Sequence, residues 1–343
     1  MVNVAINGFG RIGRAFFRMA HKNPHFNVVA VNDLGDIDNL AYLLQYDSSY
    51  GRAPFSVSTK KGAIMVDDVE VKFLQKKDPA DLPWGAMDVD IVLESTGFFT
   101  TYDGAKKHLD AGAKRVVLSA PVKGDPAEAG VTGATVLMGV NDDALQTCQI
   151  SSNASCTTNA TSPVVAILKQ AIGIDKAILN TVHAYTASQS LVDGPNGKDV
   201  RQGRAAALNI IPSSTGAAKA TTEAHTDLAG KFDGIAMRVP VPVGSIVDIT
   251  FVASRETTVE EVNNALIAGA NDEHWQHLFA ATEEPLVSTD IIGARYGSIA
   301  DLSSTRVVGG TLVKVLAWYD NETSYTHTLL THVERVAEII AQS

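Results

Sequence analysis

The sequence predicts an α/β protein of two domains: a doubly wound parallel sheet, then an α+β domain with a largely antiparallel sheet. Three observations carry that prediction. Short β-branched runs alternate with helical segments through the first half, and a glycine-rich turn joins the first run to the first helix. After about Ile150 the runs lengthen and are less regularly separated by helices. At 343 residues the chain exceeds one typical core, so two domains are expected.

Val2–Ile6, Val28–Val31, Ile64–Val71, Ile91–Glu94, Val116–Ser119 and Thr135–Met138 read as strands. Arg11–His21, Ile37–Gln45 and Tyr102–Ala111 carry apolar residues at three-to-four spacing and read as helices. Alternation of the two argues for parallel strands joined by right-handed crossovers. Beyond Ile150, a helix around Thr157–Ala171 precedes a strand at Ala177–Ala184 and a long Gly/Pro-containing loop. Strands at Asp233–Pro240, Ser245–Ser254 and Leu312–Tyr319 follow, with a helix at Val259–Ala270. A closing helix, Ser324–Ala341, places Leu329, Leu330, Val333, Val336, Ala337 and Ile340 on one stripe.

Composition narrows the function. The chain is 45% apolar and carries 28 Lys plus Arg against 38 Asp plus Glu, a net charge of −10. Such an acidic chain has no general attraction for nucleic acid or an anionic membrane, so any phosphate must be caught locally by placed groups. Two cysteines, Cys148 and Cys156, make no disulfide framework and fit a reducing, cytoplasmic setting. The N-terminus lacks the charged and apolar regions of a signal peptide, and no run of 18 apolar residues suggests a membrane span.

Gly8-Phe9-Gly10-Arg11-Ile12-Gly13 fits G-x-G-x-x-G between a strand and a helix. The first glycine allows the tight turn, the second lets a pyrophosphate approach the backbone, and the third lets helix pack on strand. Asp33 ends the second strand 20 residues after Gly13, where an acid bonds the adenine ribose 2′-hydroxyl and repels the 2′-phosphate of NADP. The register of strand, loop, helix, strand and acid points to NAD.

The second signal is Ser152-Asn153-Ala154-Ser155-Cys156-Thr157-Thr158-Asn159, small and polar, ahead of a helix. A cysteine at a helix N-terminus is expected to have a lowered pKa. Cys148, in a strand-like segment, reads as inert. A nucleophilic thiol needs a base. His183 closes the run Ile178–Val182 at the mouth of a loop, although taken alone it reads as readily as a packed histidine. His21/His25 and His274/His277 have helical spacing but lack a third ligand, so they read as surface features and no metal site is expected.

With Asn7–Arg14, Ser152–Asn159 and Thr181–Thr186 taken together, the chain resembles the phosphorylating glyceraldehyde-3-phosphate dehydrogenase family over nearly its whole length. Glu94–Phe99, Leu118–Pro121, Arg204–Pro212, Thr215–Lys219 and Trp318–Glu322 add to the resemblance. It implies Cys156 as nucleophile and His183 as its base, acting through a thioester cleaved by inorganic phosphate. It implies Thr186, Ser188 and Arg238 around the phosphate of the aldehyde substrate. Ser155, Thr157, Arg204, Thr215 and Gly216 then surround the attacking phosphate. Arg11 and Ile12 match the pyrophosphate amides, Lys77 and Ser119 outer cofactor positions, and Asn321 the carboxamide contact. It further implies a Rossmann domain over 1–154, a catalytic domain over 155–320, a returning helix over 321–343, and a homotetramer. Ala160 and Thr323-Ser324 depart from the family pattern. Erythrose-4-phosphate dehydrogenase and a non-catalytic binding role are the alternative functions.

Overall fold

The structure, a computed structural model, describes residues 1–342. It divides into two compact units, Met1–Ala154 with the chain from Thr326 onward, and Ser155–Tyr325.

The first unit opens with β1 (Val2–Asn7), α1 (Arg11–Ala20), β2 (Phe26–Asn32) and α2 (Ile37–Gln45). A short hairpin, β3 (Tyr46–Asp47) and β4 (Gly51–Arg52), leads to β5 (Val57–Lys60), β6 (Ala63–Val66) and β7 (Val69–Leu74). Then come β8 (Ile91–Glu94), α3 (Tyr102–Asp110), β9 (Arg115–Leu118), β10 (Gly133–Thr135) and β11 (Ile150–Ser152). The nine-stranded sheet runs β10-β11-β9-β8-β1-β2-β7-β6-β5. It is parallel from β10 to β7 and ends in the antiparallel pairs of β7 with β6 and β6 with β5. The central strand β1 is buried at every position but Asn3, as a strand covered on both faces must be.

Two expectations need correction here. The run Ile64–Val71 is two strands, because Asp67, at φ 50°, turns the chain between Val66 and Val69. The Asp67-Asp68 pair that interrupts the apolar run is the local mark of that hairpin. The strand expected at Thr135–Met138 lies instead at Gly133–Thr135, where it pairs with β11.

Helix α1 buries Gly13, Phe16, Phe17 and Ala20 at three-to-four spacing, and Phe16 stacks on Phe26 of β2 at 6.1 Å. The helix is therefore held by its packing face rather than by propensity.

The second unit contains α4 (Cys156–Ile172), β12 (Ile174–Ala184), β13 (Ile211–Ser214), α5 (Ala217–Ala224), β14 (Phe232–Val239) and β15 (Ser245–Ala253). It continues with α6 (Val259–Ala270), β16 (Phe279–Thr282), β17 (Ser298–Val308) and β18 (Leu312–Tyr319). The final helix, α7 (Thr323–Gln342), starts in this unit and supplies its remaining residues to the first. The seven-stranded sheet runs β13-β14-β12-β15-β18-β17-β16, antiparallel except for β12 with β14 and β16 with β17. Burial along β15 alternates at every residue, the signature of a sheet covered on one face only. On α7 the buried side holds Leu329, His332, Val333, Val336, Ala337 and Ile339. Leu330 and Ile340, expected on the stripe, are half-buried. Among the described residues no helix is long and apolar enough to cross a membrane.

Candidate functional site

The glycine turn is built as its spacing demands. Gly8 sits at φ 98°, and a Cβ there would lie 2.5 Å from the Thr96 amide nitrogen. A Cβ on Gly13 would lie 2.1 Å from the Gly8 carbonyl oxygen, so α1 can approach β1 this closely only without a side chain. A Cβ on Gly10 would meet nothing within 4 Å; the space beside it is open. Gly10 caps α1 without any side-chain hydrogen bond, leaving the helix start to an anion. The Asp33 carboxylate is aimed by two amides, from Phe9 at 2.7 Å and from Gly35 at 2.8 Å.

Gly8, Gly10 and Asp33 line a cleft of about 450 Å³ that also takes in Lys77, Ser95, Thr96 and Phe98. Leu34 and Phe98, the latter 86% exposed, give it apolar walls suited to a flat base. Neither was singled out from sequence, since exposure is a tertiary property. Arg11 pairs with Asp47 at 3.1 Å, so it is the backbone at the start of α1, rather than this guanidinium, that addresses the cleft. Ser119 stands just past β9, its amide donating to the Glu94 carbonyl at 2.9 Å.

A buried network steadies the cleft. Glu94 accepts from Asn7 Nδ2 at 2.6 Å and from the Thr96 amide at 2.8 Å. Trp84 Nε1 donates to His108 Nδ1 at 3.0 Å, which leaves His108 Nε2 as the N–H that reaches Glu94 at 3.0 Å.

In the second unit, Cys156 is the first residue of α4, capped by Ser155, whose hydroxyl accepts from the Thr158 amide at 3.2 Å. Ala154, at φ 54°, makes the turn before it, a strained conformation for a residue with a Cβ. Cys156 Sγ lies 3.4 Å from His183 Nε2. His183 is the penultimate residue of β12, buried, and paired in parallel register with Arg238 of β14. That register sets guanidinium beside imidazole: Arg238 Nη1 is 2.6 Å from His183 Nδ1 and donates to the Ala184 carbonyl at 3.1 Å.

Tyr319, to which the sequence assigns no role, completes the cluster. It is fully buried, its ring edge-on to His183 at 6.0 Å, and its hydroxyl bridges Thr157 at 2.9 Å and Thr181 at 2.8 Å. It closes the run Leu312–Tyr319 and lies within the Trp318–Glu322 match, but neither gives it a role.

The electrostatics correct one expectation. The Cys156 thiol is pushed up, not down, because burial outweighs the opposing pull of Arg238 and of the Thr157 hydroxyl and amide. His183 is lowered to about 3 by burial and by the Arg238 cation, so its imidazole is neutral at physiological pH. Burial likewise pushes up the Tyr319 phenol, which stays protonated.

Comparison with known proteins decides the family. Residues 2–102 match the family model described as the glyceraldehyde 3-phosphate dehydrogenase NAD binding domain, and residues 155–321 match that family's C-terminal domain. The glyceraldehyde-3-phosphate dehydrogenase of Clostridium acetobutylicum is 46% identical over 344 residues, covering 99% of each chain. That of Geobacillus stearothermophilus is 48% identical over 331 residues, covering 96% of each.

The chain belongs to the glyceraldehyde-3-phosphate dehydrogenase family.

It is accordingly an NAD-dependent oxidoreductase, and the glycine turn and Asp33 lie within the matched NAD-binding domain. Of the remaining positions the resemblance singles out, Thr186 and Ser188 share a hydrogen bond at 3.0 Å just beyond β12. Thr215 and Gly216 form the start of α5, where the Thr215 hydroxyl accepts from the Ala217 amide at 3.2 Å and no side chain caps Gly216. Asn321 is buried, its Oδ1 accepting from the Gly244 amide at 3.1 Å and from Ser245 Oγ at 3.2 Å. Arg204 is turned toward Asp193 at 2.9 Å on an exposed segment.

Proposed function

We propose that this dehydrogenase converts glyceraldehyde 3-phosphate, inorganic phosphate and NAD to 1,3-bisphosphoglycerate and NADH through a thioester on Cys156. The observation that carries the reading is the cluster of Cys156, His183 and Arg238: a nucleophile, a neutral base and a cation with no carboxylate partner among the described residues. Cys156 Sγ attacks the aldehyde carbon, and the thiol proton passes to His183 Nε2. That nitrogen returns the proton to the alkoxide oxygen, giving the hemithioacetal hydroxyl, and takes it back as the carbon is oxidised. NAD, which the Gly8–Gly13 turn and Asp33 suit, would supply the hydride acceptor when bound. A phosphate oxygen then attacks the thioester carbon and the Cys156 thiolate leaves, producing the acyl phosphate. Arg238 with Thr186 and Ser188 suits the substrate's own phosphate, and Ser155, Thr157, Thr215, Gly216 and Arg204 suit the incoming one.

The test is NADH formation with glyceraldehyde 3-phosphate, with and without inorganic phosphate. Sustained turnover that needs phosphate supports the reading; equal turnover without it favours hydrolysis of the thioester instead.

The same proposal includes a cytoplasmic homotetramer. Both cysteines are free. Leu191, Val192, Val200, Leu208 and Ile210 are exposed along one segment, and Ile178, Ile235 and Leu312 on the second sheet. Apolar surface on that scale suits packing against further copies. Light scattering giving the mass of a monomer would refute it.

A further inference from the structure

Asn32, Asn7 and Glu94 are the last residues of β2, β1 and β8, neighbouring parallel strands whose ends pair in register. Registered residues on adjacent strands share a face about 4.8 Å apart, so two carboxamides and a carboxylate can touch in a line. They do, and all three are buried. The Lys76 amide donates to Asn32 Oδ1 at 2.8 Å, Asn32 Nδ2 to Asn7 Oδ1 at 2.7 Å, and Asn7 Nδ2 to Glu94 Oε2 at 2.6 Å.

A backbone amide can only donate, so Lys76 fixes which way the Asn32 carboxamide faces, and Asn32 fixes Asn7. The Lys76 carbonyl, accepting from Asn32 Nδ2 at 2.9 Å, holds the same orientation. From the other side the Trp84 indole can only donate, so His108 Nδ1 accepts and the Nε2 proton points at Glu94 Oε2. The Thr96 amide and hydroxyl donate to Oε1. Every bond therefore runs one way, into a Glu94 carboxylate that only accepts. The loops leaving these strand ends line the dinucleotide cleft: Gly8 and Gly10 after β1, Asp33 and Leu34 after β2, Lys76 and Lys77 after β7, Ser95 and Thr96 after β8.

We propose that Glu94 is a positioning residue for NAD: as the terminal acceptor of a one-way relay through Asn7 and Asn32, it holds the loops after β7 and β8 in the shape the cofactor takes up. The inference rests on the NAD-binding domain and not on the chemistry proposed for Cys156. A carboxamide at position 94 breaks the relay. Its oxygen must face the Thr96 amide, which sets its NH2 against the donors of Asn7 and His108. Turning Asn7 sets its NH2 against that of Asn32, and turning Asn32 as well sets an NH2 against the Lys76 amide. Moving the His108 proton to Nδ1 sets it against the Trp84 N–H. Each route ends on a donor that cannot turn. Moving the carboxylate one strand along repairs the relay. In Asn7→Asp/Glu94→Gln, the new carboxylate accepts from Asn32 on one oxygen and from the new carboxamide on the other. His108 Nε2, 3.4 Å from the place of Asn7 Nδ2, can donate to that second oxygen.

The probe is NAD itself, titrated calorimetrically into full-length wild type and variants with no aldehyde or phosphate present. Glu94→Gln should bind NAD about tenfold more weakly or worse, because the cofactor must re-order loops released by a buried donor conflict. Asn7→Asp should lose as much, since it sets two carboxylates against each other where Asn7 and Glu94 now meet at 2.6 Å. The double variant should return to within about threefold of wild type, a coupling that two independent losses cannot give. Unchanged affinity in Glu94→Gln, even with lowered stability in denaturant, would make Glu94 a structural residue only and overturn the proposal. A double variant as weak as the single ones would overturn it too. Where a single variant does not fold, the double variant decides alone. Because turnover is not read, the outcome is independent of the role given to Cys156.

Discussion

Two buried histidines invite comparison, His183 in the second unit and His332 on the part of α7 that belongs to the first. Burial lowers each to about 3, so each is neutral at physiological pH. His332 has what it needs. Its Nδ1–H donates to Asn153 Oδ1 at 3.1 Å, and its Nε2 accepts from Ser151 Oγ at 2.8 Å. Burial alone lowers it, and its serine partner is itself buried in β11. His183 has instead a contested Nδ1, a thiol at Nε2 and a guanidinium alongside. A depressed pKa therefore reports burial in both places. What makes His183 the candidate reaction centre is a contested Nδ1 and a neighbouring thiol.

The largest effect should come from the thiol. Cys156→Ser is expected to lower steady-state NADH formation by about 10⁴-fold or more, since a serine hydroxyl beside a neutral imidazole is a poor nucleophile. Turnover within about tenfold of wild type would remove Cys156 from the chemistry and erase the contrast between the histidines.

Next comes the contrast itself. His183→Asn should slow acylation by about 10²–10⁴-fold, the usual worth of a positioned base. His332→Gln should leave kcat within a few-fold. Rapid-quench acylation of both variants checks this, and equal losses would mean that His332 also serves the reaction.

His332→Gln should act on stability instead. Leaving Ser151 or Asn153 without its partner in a buried setting costs about 1–3 kcal/mol. Denaturant titration of the two variants should find the greater loss at His332, which has no unmet hydrogen-bonding demand to relieve.

The smallest effect is the acid limb. A histidine whose folded pKa lies below its unfolded value leaves the unfolded chain binding more protons, so stability falls as pH drops from about 6.5 toward 3. One unit below 6.5, each such histidine costs about 1.4 kcal/mol. His225, lowered to about 4, contributes in the same direction. Relative to wild type, His332→Gln should flatten the stability profile between pH 6.5 and 5.5. An unchanged slope would mean that His332 is not held neutral.

Local features were legible in the chain. Ile37–Gln45, Ile91–Glu94, Val259–Ala270 and Leu312–Tyr319 have the bounds that periodicity predicts. Asp36 and Thr258 cap their helices with side-chain oxygens to Asn39 and Glu261 amides. β17 escaped notice because Asp301, Ser303, Ser304 and Thr305 break its apolar pattern, and only pairing with β18 and β16 makes it a strand. β13 and α5 were missed for the same reason, being short elements defined by neighbours distant in sequence.

By itself the sequence determined the glycine turn, the acid after β2 and the cysteine at the start of a helix, because each depends on residues close along the chain, where spacing and steric demand are local. The tertiary structure alone decided that His183 lies opposite Arg238, that Tyr319 bridges Thr157 and Thr181, and that the thiol is raised rather than lowered. Strand register sets the first and burial the last. Both are sums over groups brought together from far apart in the chain, and a helix start that would favour a thiolate in water loses to desolvation once the fold encloses it.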